Sequence, residues 1–181
     1  MSYVVEIAQY DPIWTARFAQ LGGELRDALG RTALRIDHIG STAVPGLAAK
    51  PIIDIQISVA AFEPLDAYRL PLERLGYVFR ADNTERTKRY FREAPGMPRR
   101  HIHVRRAGSW AEQFALLFRD YLRTHAEEAR RYESLKYQLA ARYKEDRHGY
   151  TDAKAPFIWE VMAKADRWSQ EVGWEPGPSD A

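Results

Sequence analysis

Cysteine is missing from the chain, which removes disulfides, thiolate metal ligands and thiol nucleophiles at once. No run approaches the ~20 apolar residues that a membrane span requires, and residues 1–11 carry neither the basic nor the apolar region of an export signal. These absences give the expectation of a cytoplasmic protein with no membrane partner. Charge of one sign is scarce as well: 27 Lys and Arg face 25 Asp and Glu, a net charge of +2, so no global field draws the chain onto nucleic acid. A sequence pI of about 8.8 still allows a local basic cleft. Gly-x-x-x-x-Gly-Lys-Ser/Thr, Gly-x-Gly-x-x-Gly after a strand, His-Glu-x-x-His and Gly-x-Ser-x-Gly are all absent, which sets aside kinase, dehydrogenase, zincin and hydrolase readings.

What is present is ordinary for one globular domain. The 181 residues are 45% hydrophobic and 29% charged, and a chain of that length buries roughly 70% of its unfolded surface. No internal repeat is visible, and the Pro/Gly-containing stretch 175–181 is expected to be a frayed, flexible tail after a single domain at 1–174.

Asp11 as N-cap, Pro12 at the first helical position and the spacing of Ile13, Trp14, Phe18, Leu21 and Leu25 predict a helix over 12–30, ended by Gly30. Alternation predicts a strand at 33–38, then a turn-rich loop at 40–49 and a strand at 51–59. In that second strand Ile53, Ile55, Ile57 and Val59 share one face, and Ile52, Asp54, Gln56 and Ser58 the other. A helix follows at 63–75, then short strands at 77–80, 88–93 and 100–105, the last two forming a hairpin around Pro95-Gly96. From Ser109 onward three amphipathic stripes at helical period predict three helices. Strands followed by helices indicate an α+β fold, a mixed sheet with helices packed on one face and a C-terminal helical segment.

The chemistry gathers between residues 38 and 56. A glycine-serine turn after a strand lets backbone amides and a hydroxyl approach a phosphate closely, and an acid on the next strand can hold a divalent cation beside it. Gly40, Ser41 and Thr42 supply the turn and Asp54 the acid. A Gly-Ser pair alone is also simply a turn.

A strand, Gly-Ser, about a dozen residues and an acid in an apolar strand together resemble the nucleotidyltransferase superfamily. The fuller string resembles the GrpB family, small relatives of that superfamily whose domain also occurs fused to dephospho-coenzyme A kinase. The residues that carry the likeness are His-Ile-Gly-Ser-Thr-Ala-Val-Pro-Gly-Leu at 38–47, Lys-Pro-Ile-Ile-Asp-Ile at 50–55, His-Ile-His-Val at 101–104, Phe-Arg-Asp-Tyr-Leu-Arg at 118–123, Tyr132 with Leu135-Lys136, and Tyr150 with Lys154 and Phe157-Ile158. The resemblance implies a nucleotidyltransferase fold and a nucleotide or phosphate site; it brings no settled reaction.

One departure from the superfamily pattern bears on mechanism. Nucleotidyl transfer there relies on two carboxylates alternating on one strand, with a third acid from a later strand. Here Asp54 is followed by Gln56, a neutral donor, and the later strand carries His101 and His103. Those two histidines share a strand face and could ligate a metal with Asp54, hydrogen-bond a phosphate, or be polar residues on a half-solvated sheet. His38, His125 and His148 are read as structural or surface residues. Among the cations, Lys50, Arg119, Lys136 and Lys154 are candidates for an anionic ligand, each otherwise a surface charge or ion-pair partner.

Two functions follow as expectations. The first is a transferase of phosphorus-containing groups in which Gly40, Ser41 and Thr42 cradle phosphate. Asp54 and Ser41 are then catalytic, Asp54 and His103 hold Mg²⁺, and Lys50, Gln56, His101 and His103 complete the site. The second is an inactive module binding a nucleotide, a coenzyme A-like molecule or another anion. A role on RNA rests only on fold analogy and aromatic content.

Overall fold

The computed structural model describes residues 4–181; residues 1–3, the start of the domain expected at 1–174, lie outside the described residues. Chain order is α1 (Ile13–Leu29), β1 (Arg35–Ile39), β2 (Ile53–Val59), α2 (Asp66–Arg74), β3 (Tyr77–Phe79), β4 (Arg89–Glu93) and β5 (Arg100–Arg106). The helices α3 (Trp110–Thr124), α4 (Ala126–Arg142), α5 (Arg147–Asp152) and α6 (Ala155–Val172) complete it. The five strands form one mixed sheet in the order β1-β2-β5-β4-β3. The β2–β5 pair is parallel and the other three are antiparallel.

Local signals explain most boundaries. The Asp11 carboxylate accepts from the Ile13 amide at 2.9 Å, and Gly30, at φ 50°, ends α1. Ser109 caps α3 by accepting from Glu112 N. Gly173 ends α6 in the left-handed conformation. The short α5 has no counterpart among the expected helices: six residues give too little periodicity to register, although Asp146 caps it by accepting from Gly149 N.

Side-chain alternation divides the sheet into two chemically different faces. Ile36, Ile53, Ile55, Ile57, Val59, Phe91, Ile102 and Val104 point into a core shared with Trp14, Phe18, Leu25, Tyr68 and Leu72 of α1 and α2. Burying a side chain of this kind contributes about 1.5–3 kcal/mol, so this layer holds the sheet. A second cluster joins Leu117, Tyr121 and Leu122 of α3 to Tyr132 of α4, Val161, Met162 and Ala165 of α6, and Val44 and Leu47 of the loop after β1.

The polar face carries Asp37, Asp54, Gln56, Ser58, Tyr90, His101 and His103, which the strand registers set beside one another. It is not open to solvent throughout. Gln56 and Ser58 are fully buried, because the start of α3 crosses this face and the Gln56 amide donates to the Glu112 carbonyl at 3.3 Å.

Residues 175–181 do not behave as the frayed tail expected from their composition. Ala181 N donates to Ile36 O at 3.1 Å, and the Ser179 hydroxyl accepts from Ile36 N. Asp180 accepts from His38 N and from Arg119 Nη1. The segment thus caps the outer edge of β1, whose unpaired backbone groups need partners.

Candidate functional site

The site begins with one backbone turn. Gly40 leaves β1 at φ 72° and ψ −172°, a region essentially closed to residues with a Cβ. A Cβ there would stand 2.8 Å from Asp54 Oδ2 and 3.2 Å from Asp54 Cβ. Glycine is therefore required both by backbone angle and by the closeness of the β2 carboxylate. Ser41–Ala43 follow as one turn of 3-10 helix. Thr42 donates to Ile52 O and pairs with His38 Nε2, both at 3.0 Å, which ties the turn to the start of β2. His38 is thereby structural. It stacks on Phe18 at 4.7 Å, and burial lowers its pKa to about 4.

Asp54 sits where three strands meet. Its Oδ1 lies 3.0 Å from His101 Nδ1 and 3.4 Å from His103 Nε2. Burial pushes the Asp54 carboxyl up, but the bonds to the two histidines outweigh that and hold it well below the ordinary carboxylate range. Burial lowers the His103 pKa despite the Asp54 partner. The resulting state is an anionic carboxylate beside a neutral His103. Tyr90 on β4 packs against both rings, at 5.6 Å from His101 and 5.2 Å from His103, and fixes their orientation. The cluster opens on the cleft side, where 28% of the Asp54 side chain is exposed.

Above this floor lies a cleft of about 520 Å³ whose lining includes Gly40, Ser41, Thr42, Lys50, Asp54, His101, His103, Lys136 and Lys154. Its opposite wall is apolar, formed by Phe114, Phe118, Tyr132 and Ile158 of the C-terminal helices. Lysines from three separate elements converge on two tyrosines. Lys50 Nζ lies 4.9 Å and Lys154 Nζ 4.7 Å from the Tyr150 ring, and Lys136 Nζ lies 4.8 Å from the Tyr132 ring. Burial lowers Lys50 to about 8. Burial, and then the neighbouring Lys154, lower Lys136 to about 7.

Lys136 has a second task. Its ammonium donates to Ala48 O while Glu133 accepts from Ala48 N, so α4 grips both backbone groups of one loop residue.

Two of the expected ligand residues stand outside the cleft. Gln56 shares a face with Asp54, but the first turn of α3 covers it. Arg119, expected as an anion clamp, is only 4% exposed and donates to His38 O, Asp120 and Asp180. It locks α3 to β1 and the C-terminal segment. Conversely, Tyr90, Lys88, Arg105 and Arg147 line the cleft without having been singled out for it. Tyr90 was accessible in principle, since an in-register β4–β5 hairpin sets it opposite His103. Arg147 lies on the short α5 and gives no periodic signal.

Residues 4–164 match the family described as "GrpB protein". The chain belongs to the GrpB family. It is 39% identical over 167 residues to UPF0157 protein PA4798 of Pseudomonas aeruginosa, covering 89% of this chain and 67% of that protein. It is 32% identical to a dephospho-CoA kinase of Mycolicibacterium paratuberculosis, covering 95% of this chain and 48% of the kinase. The chain thus spans about two thirds of the first relative and about half of the second. The crystal structure of conserved protein GrpB from Enterococcus faecalis superimposes with a TM-score of 0.82 at 33% identity, over 90% of this chain and 99% of that one. The Cid1 poly(U) polymerase bound to MgGTP superimposes with a TM-score of 0.54 at 16% identity, over 75% of this chain and 45% of Cid1, a likeness of fold alone. This GrpB chain has a nucleotidyltransferase-like fold, a five-stranded mixed sheet with helices. No helix among the described residues is long and apolar enough to cross a membrane.

The fold raises the question of Mg²⁺. Mg²⁺ takes oxygen ligands in octahedral geometry, through carboxylates, waters and phosphates. This GrpB site offers one carboxylate and two imidazoles, while Gln56 is sequestered and bonded to a backbone carbonyl. The donors present do not fit the Mg²⁺ pair expected of the fold.

Proposed function

We propose that this protein binds a phosphate-bearing small molecule, a nucleotide in the first instance, in the cleft between the Gly40-Ser41 turn and the C-terminal helices. The observation that carries this reading is the convergence of Lys50, Lys136 and Lys154 on adjoining tyrosines of one cleft. Bringing like charges together in a partly buried space costs free energy that a bound anion offsets, beyond what Asp54 supplies to Lys50 and Glu133 to Lys136. The turn beneath them supplies Ser41 and backbone amides of the kind that hold phosphate. The aromatic wall suits the flat apolar part of a nucleotide, and the fold neighbour Cid1 was crystallised with MgGTP.

The reading is of a binding module that lacks the second metal carboxylate. A coenzyme A-like molecule fits the same chemistry, a phosphorylated nucleotide with an extended amide-containing arm. A nucleotidyltransferase-like enzyme is the second reading, favoured by one feature: the anionic Asp54 carboxylate, which lies against Gly40.

Isothermal titration of the EDTA-treated protein with ATP, pyrophosphate and coenzyme A tests the first reading. Saturable metal-independent binding is expected, with ligand at about 100 Kd adding about 2.7 kcal/mol of stability. That is about 5–11 °C in Tm at this chain length. If none of the three ligands binds, or binding is unchanged in both Lys136→Met and Lys154→Met, the reading is wrong. Turnover of any nucleoside triphosphate that disappears in Asp54→Ala would replace it with the transferase.

A further inference from the structure

We propose that Asp54, His101 and His103 form a binding site for one divalent transition ion of the zinc class, and not for Mg²⁺. Three strands supply the cluster. Asp54 comes from β2, the two histidines come from β5, and Tyr90 of β4 holds both rings. One candidate ligand atom from each of the three residues lies within 4.8 Å of the others, with Asp54 Oδ1 at 3.0 and 3.4 Å from the facing nitrogens. Bonds of about 2.0–2.2 Å to nitrogen and oxygen place neighbouring ligands about 3.0–3.5 Å apart, so the two observed edges already suit a coordination shell. Closing the third edge asks only for small ring movements.

The purely structural alternative is that the carboxylate simply orients two histidines by hydrogen bonding. The ring nitrogens that face away from Asp54, His101 Nε2 and His103 Nδ1, are buried without a hydrogen-bond partner among the described residues. They stay so whether or not an ion joins the facing pair, so the nature of the donor set decides between the two readings. Two imidazoles and one carboxylate with open positions make a donor set that transition ions favour and Mg²⁺ does not.

Local charge does not forbid the ion. Lys88 and Arg105 lie near His103, but Glu85 pairs with both, at 2.7 and 3.2 Å. The remaining positions would face the lysine-lined cleft, so their natural occupant is water or an anion. The metal does not depend on that anion, and the inference stands or falls separately from the proposed function.

The test uses the full chain, stripped with chelator and free of nucleotide. Titration with Co²⁺, followed by its visible absorption, and with Zn²⁺ by calorimetry should each saturate at one equivalent. Mg²⁺ in large excess should not compete. Asp54→Asn and His103→Gln should each weaken binding more than about 100-fold, beyond the 10–100-fold typical of losing an outer-shell partner. His125→Gln should leave it unchanged. Metal-free circular dichroism identifies any variant that fails to fold, and the wild-type stoichiometry needs no variant. The inference is overturned if folded wild type shows no saturable Co²⁺ or Zn²⁺ binding, if binding survives both site variants, or if Mg²⁺ competes at comparable concentration.

Discussion

Replacing Gly40 with alanine probes the junction on which the whole site is built. Two penalties add at this position. A side chain at φ 72° and ψ −172° occupies a backbone region that costs about 1–3 kcal/mol. The new methyl would also stand 2.8 Å from Asp54 Oδ2 and 3.2 Å from Asp54 Cβ. Oδ2 could swing aside, but the Cβ belongs to the central strand and cannot, so overpacking of about 1–3 kcal/mol is added. The expected loss is about 3 kcal/mol, or about 6–12 °C in Tm for a chain of this size.

Gly46 provides the control. It also has a positive φ, 79°, yet nothing lies within 4 Å of its would-be Cβ. Gly46→Ala should therefore pay backbone strain alone and be milder by about 1–2 kcal/mol. Urea denaturation with unchanged m-values measures both. A double-mutant cycle sharpens the assignment, because Asp54→Ala removes the oxygen at 2.8 Å and should relieve the Gly40→Ala penalty by about 1 kcal/mol. Equal destabilisation at Gly40 and Gly46, or a Gly40→Ala variant within about 0.5 kcal/mol of wild type, would refute the close approach of turn and carboxylate.

Three further outcomes are expected. Burial holds His38 at about 4 when folded, against about 6.5 unfolded. Its stabilising contribution is thus complete above pH 6.5 and declines as pH falls toward 4, by about 2 kcal/mol at pH 5; a His38→Gln variant, compared with wild type in urea at pH 7 and pH 5, should lack this difference. Lys136→Met should lower pyrophosphate affinity at least about tenfold and cost about 1–3 kcal/mol of stability, because the buried Ala48 carbonyl loses the ammonium that donates to it. In the wild type, that affinity should fall between pH 7 and 9 as Lys136, near 7, and Lys50, near 8, lose their protons. Asp180→Ala removes the acceptor shared by His38 N and Arg119 Nη1 and should cost about 1–3 kcal/mol, seen as a lower urea midpoint.

The parts of the fold written in strict periodicity could be read directly. The isoleucines at 53, 55 and 57 fix which face of β2 enters the core, and so fix Asp54 onto the other. The His-x-His spacing likewise puts His101 and His103 on one side of β5. What periodicity omits is the element that crosses a face. Nothing in residues 51–59 tells that α3 covers Gln56 and leaves Asp54 open, since that depends on a contact 56 residues away. Arg119 illustrates the same gap. Its helix position allows either a ligand clamp or an ion-pair lock, and the choice is made by Asp180 in a segment whose composition suggests a loose end. The short α5, which brings Arg147 and Tyr150 to the cleft, falls below the length at which a stripe can be recognised.

The burial of Gln56 has a consequence that distinguishes a lost metal pair from one that a single change could restore. If only the residue type at 56 differed from a two-carboxylate site, Gln56→Glu would recreate a pair of acids two residues apart, about 6.6 Å along the strand, and confer Mg²⁺ binding. The observed packing argues otherwise. Gln56 is fully buried and its amide donates to the Glu112 carbonyl, so a glutamate would set a carboxylate oxygen against a carbonyl oxygen with no cation in between. An uncompensated buried charge of this kind costs about 3–5 kcal/mol. Gln56→Glu should therefore be destabilised at pH 8. It should recover part of that loss near pH 5, where a protonated carboxyl can again donate to Glu112 O. Its urea midpoint would rise as pH falls, relative to wild type, and Mg²⁺ would not restore stability. A stable variant that binds Mg²⁺ would mean that α3 yields readily and that the floor of the cleft is wider than the packing of its first turn implies.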